Sequence, residues 1–249
     1  VAVLPAGDRL VTWGAQGRAA VWDRQGSEVC RFHGHDAAAK VGAVFPDGER
    51  VVTGAFDGIA LIWNASSCKA LQRLEHEGFD AVNGSTQLVD LALLRGGEAL
   101  ATLTAFGKVT VWDVATGKAS RVLVEPAFLD LPGRQIAAIP GKDLLALSSF
   151  LAVVVFDTRS GEEVAILEDY PDTADQVAVS LAGDVLASCA GNAVSVMNLI
   201  NYTRLESFEL PSRNQEPTQS RCLIAMGVGG AADPLAFGDG ASWHEVFAA

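Results

Sequence analysis

Five times along the chain, a short run of alternating apolar residues ends in a large apolar side chain followed by Asp or Asn. The pairs are Trp22-Asp23, Trp63-Asn64, Trp112-Asp113, Phe156-Asp157 and Met197-Asn198, with successive separations of 41, 49, 44 and 41 residues. A period of this size means that each unit is one supersecondary element, which buries its apolar faces by stacking on its neighbours. The grammar within a unit is plainest from Val41. An apolar run (VGAVF) meets a Pro46-Asp47-Gly48 turn, a second run (RVVTGA) meets Asp57-Gly58, and a third (IALIW) is followed by a polar turn and a fourth near Leu71 to Leu74. These are the punctuation and alternation of antiparallel strands, and no stretch carries a sustained helical period.

Period-two alternation puts Ile59, Leu61 and Trp63 on one face of the third strand and Ala60 and Ile62 on the other. Both faces are apolar, so sheets must cover both. Radial stacking of four-stranded blades meets that demand and leaves only short edges. The expected fold is therefore all-β, a β-propeller of four-stranded antiparallel blades. About six are visible, at approximately 1–33, 34–76, 77–124, 125–168, 169–211 and a partial 212–249, within one domain that is expected to be part of a longer chain.

These residues resemble the WD-repeat β-propeller family, and the second repeat, opened by Gly34-His35 and closed by Trp63-Asn64, carries the likeness best. The resemblance implies a buried hydrogen-bonded tetrad of His35, Thr53, Asp57 and Trp63, in which a carboxylate, an imidazole, a hydroxyl and an indole N–H satisfy one another. Gln16, Phe106, Phe150 and Gly191 stand in the place of Asp57 in the other repeats. Those blades are expected to be held mainly by apolar packing, and His76 and His244 read as isolated.

Phe56, Phe106 and Phe150 fall in corresponding turns of three consecutive repeats. Either each ring tucks between blades where the Asp network is missing, which accounts for the loss of Asp without further assumption, or together they form an apolar patch that anchors a partner. Asp169, Tyr170 and Asp172, in the connection after the fourth repeat, read as an exposed acidic loop suited to a basic partner.

Composition narrows the function classes. With 18 Lys and Arg against 30 Asp and Glu, the net charge is −12, which disfavours direct binding to nucleic acid or to an anionic membrane surface. The apolar run Leu151 to Phe156 is far short of the roughly 20 residues that cross a bilayer. His33-x-His35 is better read as structural than as a metal site. Gly227-Val-Gly229 lacks the βαβ context of a dinucleotide site, since Asp233-Pro234 follows at once. No catalytic, cofactor or metal constellation is expected.

The expected function is a non-catalytic protein–protein interaction scaffold or adaptor that uses its rim loops, possessing protein or peptide partners of basic character within a larger protein or complex. The alternative is a propeller enzyme with a polar site at the central axis. Cys30, Cys68, Cys189 and Cys222 are far apart in sequence and form no C-x-x-C pair, which argues against a zinc ribbon or a dense disulfide framework and for a cytoplasmic or other reducing intracellular compartment.

Overall fold

The computed structural model describes residues 1–76, 86–125, 135–149, 152–167, 174–190 and 193–209, and the strands at 223–226, 235–238 and 243–246. The chain is all-β. Its first sheet comprises β1 (Ala2–Val3), β2 (Arg9–Trp13), β3 (Arg18–Asp23) and β4 (Glu28–His33) in sequence order. The second comprises β5 (Ala39–Val44), β6 (Arg50–Ala55), β7 (Ile59–Asn64) and β8 (Ala70–Glu75), and the third β9 (Leu88–Leu94), β10 (Ala99–Thr104), β11 (Val109–Asp113) and β12 (Lys118–Val124). The fourth contains β13 (Gln135–Ile139), β14 (Leu144–Ser148), β15 (Val153–Asp157) and β16 (Glu163–Leu167). In the fifth are β17 (Ala174–Val179), β18 (Val185–Ala190), β19 (Ala193–Asn198) and β20 (Thr203–Glu209). Three further strands, β21 (Leu223–Met226), β22 (Leu235–Gly238) and β23 (Trp243–Val246), form a smaller sheet. Among the described residues no helix is long and apolar enough to cross a membrane.

Two compact units divide the chain, Val1–Asp130 and Leu131–Ala249. In the first, the alternation of β7 sorts its side chains as the sequence requires. Ile59, Leu61 and Trp63 join a core with Val11, Val21 and Phe32 of the first sheet, whereas Ala60 and Ile62 join one with Leu88, Leu91, Leu100 and Trp112 of the third. A strand buried on both faces is thus the middle layer of a stack. In the second unit, Ala146, Val153 and Val155 of the fourth sheet pack with Val177, Leu186 and Met197 of the fifth.

Each half of the repeated pair has its own structural reason. The Asp or Asn ends the third strand and caps the turn to the fourth. Asp23 Oδ1 accepts from the N–H groups of Gln25 and Ser27, Asn64 Oδ1 from Ser66 and Ser67, Asp157 Oδ1 from Arg159 and Ser160, and Asn198 Oδ1 from Ile200 and Asn201. Only a short side-chain oxygen is needed, so Asp and Asn interchange. The large apolar residue just before it follows a break in register. In all five four-stranded sheets the pairing of third with fourth strand shifts immediately before Trp22, Trp63, Trp112, Phe156 or Met197. A bulge at that point bends the strand and increases its twist, so the register break recurs where the largest side chain of each third strand must be seated.

Among the described residues the cysteines form no dense framework, yet they pair across the fold. Cys30 on β4 and Cys68 in the β7–β8 turn form a disulfide, with Cα atoms 5.9 Å apart, and Cys189 is also disulfide-bonded. No described cysteine is free. Sequence spacing does not reveal the pair, because stacking of adjacent sheets, not nearness along the chain, brings Cys30 and Cys68 together.

Candidate functional site

The second sheet gathers His35, Thr53, Asp57 and Trp63 into one hydrogen-bonded chain. Gly58, at φ +81, closes the β6–β7 turn that presents Asp57, and a Cβ there would meet Thr86 Oγ1 at 2.6 Å. Asp57 Oδ2 lies 3.1 Å from His35 Nδ1 and accepts from the Asp36 N–H at 3.0 Å, while Oδ1 accepts from the Ile59 N–H at 3.1 Å. His35 Nε2 is 2.9 Å from Thr53 Oγ1, which accepts from Trp63 Nε1–H at 3.3 Å. A neutral imidazole protonated on Nδ1 satisfies every member. It donates to Asp57, accepts the hydroxyl proton of Thr53, and leaves the threonine oxygen free for the indole. Trp63 is fully buried and stacks on Phe32 with ring centroids 5.0 Å apart.

Burial works to raise the pKa of Asp57, but the hydrogen bonds from His35 and from the N–H groups of Ile59 and Asp36 outweigh it and hold the carboxyl below the ordinary range. Its contribution is therefore complete above the ordinary carboxylate pKa and is lost as pH falls through the lowered value. Asp57→Ala is expected to cost about 1–3 kcal/mol, because the imidazole and two backbone donors lose their acceptor. Urea unfolding followed by tryptophan fluorescence measures this, and an unchanged midpoint would remove Asp57 from the network.

A second chain of the same kind, which the sequence reading missed, occupies the third sheet. His76 Nε2 is 3.0 Å from Thr102 Oγ1, and Trp112 Nε1–H donates to that oxygen at 2.8 Å. The imidazole meets the Trp112 ring edge-on at 5.1 Å. His76 is therefore not isolated, and the third sheet is not held by apolar packing alone. Its signal lay in counting from the preceding repeat, since His35 and His76 each stand thirteen residues after a tryptophan, Trp22 and Trp63. Among the described residues no carboxylate completes this set, and Phe106 stands where Asp57 does in the second. Burial, with Lys108 nearby, lowers the His76 pKa to about 4, so the ring is neutral near pH 7.

Trp22 donates to Thr12 at 2.9 Å in the first sheet. Each tryptophan of the repeat therefore has a threonine ten residues earlier that accepts its N–H. Where the anchor is Phe156 or Met197, which have no N–H to satisfy, the strand register puts Leu147 or Ser188 at the equivalent position.

The aromatic turn residues behave differently from a packing role. Phe56, in the β6–β7 turn, is 40% exposed, and Phe106, in the β10–β11 turn, is 50% exposed. Both stand in the turns between second and third strands of neighbouring sheets; Phe106 takes the position that Asp57 holds in the second sheet, and Phe56 directly precedes Asp57. Phe150, Asp169, Tyr170 and Asp172 lie outside the described residues, as does the stretch 227–234. His33 is exposed at the end of β4, away from the network that engages His35.

No protein-family model matches the chain, and comparison with curated proteins yields no match.

Proposed function

We propose that the chain is a WD-repeat-like β-propeller acting as a non-catalytic protein-interaction scaffold, whose partner docks on the rim that carries Phe56 and Phe106. The observation that carries this reading is the exposure of two phenylalanines at corresponding turns of adjacent sheets. An exposed ring forgoes its burial free energy until a partner covers it, and clustered aromatics are the usual energetic centre of an interface. Repetition supports the fold reading. Five four-stranded antiparallel sheets recur with one turn chemistry and one bulge position, which is what blades stacked around an axis require.

The net charge of −12 favours a basic partner, with association that weakens as salt rises. The Cys30–Cys68 disulfide weighs against the reducing compartment that cysteine spacing suggested, because such bonds persist where thiols are oxidised. The test compares proteins recovered with the wild-type chain and with a Phe56→Ser, Phe106→Ser variant at low and high salt. Companions lost in the variant, at unchanged melting temperature, support the reading; an identical set of companions on both proteins rejects it.

A further inference from the structure

Between the outermost strands of the second and third sheets, β8 and β12, lies a cavity of about 690 Å³. Its lining includes Arg73 and Glu75 from β8, His76, Lys108, Trp112 and Lys118. The volume falls within the roughly 300–1,000 Å³ usual for small-ligand sites. Three cations and one carboxylate among these six residues make a positive pocket on a strongly acidic chain.

Lys108 is the informative group. Its side chain is only 16% exposed, yet its ammonium reaches a carboxylate only at 3.9 Å, that of Glu125, which is itself 60% exposed. An ammonium carries three donors, and one distant, hydrated carboxylate occupies few of them, which leaves Lys108 able to meet a further acceptor in the cavity. Arg73 shares the mouth with Glu75, Nε to Oε2 at 3.3 Å, in an exposed pair. Lys118 is exposed on β12. On the floor, His76 and Trp112 are committed to Thr102, so the floor is neutral and does not supply a counter-charge.

We propose that this cavity binds an oxyanion, a phosphate or carboxylate group, which Lys108 contacts at depth, with Arg73 at the mouth and Lys118 farther along the cavity at the other end of β12, opposite Asp113. Lys108 follows Phe106 by two residues in the β10–β11 turn, so the cavity borders the phenylalanine rim, but the anion site uses neither ring and stands whether or not the rim binds a partner. The anion comes either from a free small molecule or from an acidic peptide, and the probes distinguish these.

The experiment follows the His76 ring resonances of the full chain by NMR while inorganic phosphate or hexaglutamate is added at constant ionic strength, with chloride as control. A saturable shift with either anion and none with chloride is expected. An anion beside Lys108 also raises the His76 pKa, since it favours the imidazolium. Lys108→Met should weaken binding at least tenfold. Because that substitution touches a buried position, the surface variant Arg73→Met, Lys118→Met is measured alongside it and should weaken binding several-fold with the fold intact. Phosphate binding without hexaglutamate binding identifies a small phosphate-bearing ligand, and the reverse identifies an acidic peptide. The absence of a saturable shift with both anions, or equal affinity in wild type and the surface variant, overturns the proposal.

Discussion

Changing Cys30 and Cys68 together to Ser is expected to lower the stability of the Val1–Asp130 unit by about 4 kcal/mol at 25 °C, with the native sheets retained. The figure comes from loop closure. The bond joins residues 38 apart, and confining a loop of that length in the unfolded chain removes close to 13 cal/mol/K of entropy, about 4 kcal/mol. In a stacked-sheet fold each sheet is held mainly by its neighbours, so a covalent link between β4 and the β7–β8 turn falls where separation of the first two sheets begins. Both cysteines border the buried core that contains Trp63 and Phe32. Denaturant unfolding followed by tryptophan fluorescence checks the prediction. The double variant is preferred to chemical reduction because a reductant would also open the bond at Cys189. A midpoint unchanged from wild type would mean that the sheets hold together without the link. Mass spectrometry after alkylation, on protein taken from its own cells without reductant, reads the compartment directly. Protection of Cys30 and Cys68 places folding in an oxidising environment, and free thiols place it in a reducing one.

The disulfide also marks where sequence reasoning stops. Local rules carried the strands, because alternation, Asp-Gly turns and the repeated aromatic-Asx pair each act over a few residues. They placed β5 to β8 nearly to the residue. The Trp63 network came from the resemblance to the WD-repeat family, which His35, Thr53, Asp57 and Trp63 match, and not from those local rules. His76 escaped because the third repeat is longer between histidine and tryptophan, 36 residues against 28 in the second, so a search backwards from Trp112 overshoots. Counting forwards from Trp63 finds it, since the intervening strand and turn have constant length. Cys30 and Cys68 were illegible for a different reason. Their pairing depends on how two sheets stack, and no local pattern encodes that distance. The exposure of Phe56 and Phe106 is of the same kind. Sequence put them in equivalent turns, but whether a turn residue folds inward depends on the space the neighbouring sheet leaves.

Stability is expected to fall as pH drops from about 6.5 to about 4, and His76 is expected to account for most of the change in that window. In the folded chain the ring is largely buried, and desolvation, followed by the charge of Lys108, lowers its pKa from 6.5 to about 4. The other charged groups that line the cavity, Arg73, Lys118 and Glu75, are exposed. Between the two pKa values the unfolded histidine binds a proton that the folded one refuses, so stability increases with pH at up to about 1.4 kcal/mol per unit. The contribution is complete above 6.5. Below about 4 both states are protonated and the loss stops, having reached about 3 kcal/mol. Carboxylates with lowered pKa values, Asp57 among them, begin to lose their contribution only from about pH 5 downward, so the comparison with a His76 variant that keeps them separates the two. His76→Gln keeps a hydrogen-bonding group near Thr102 but cannot titrate, so its stability should vary much less with pH across the window. The difference between wild type and variant should grow by about 3 kcal/mol from pH 4 to pH 7. Two-dimensional NMR of the imidazole gives the decisive number. A His76 titrating near 6.5 in the folded protein would mean that the ring is solvated, and both the pH dependence and the neutral floor of the oxyanion cavity would fall with it.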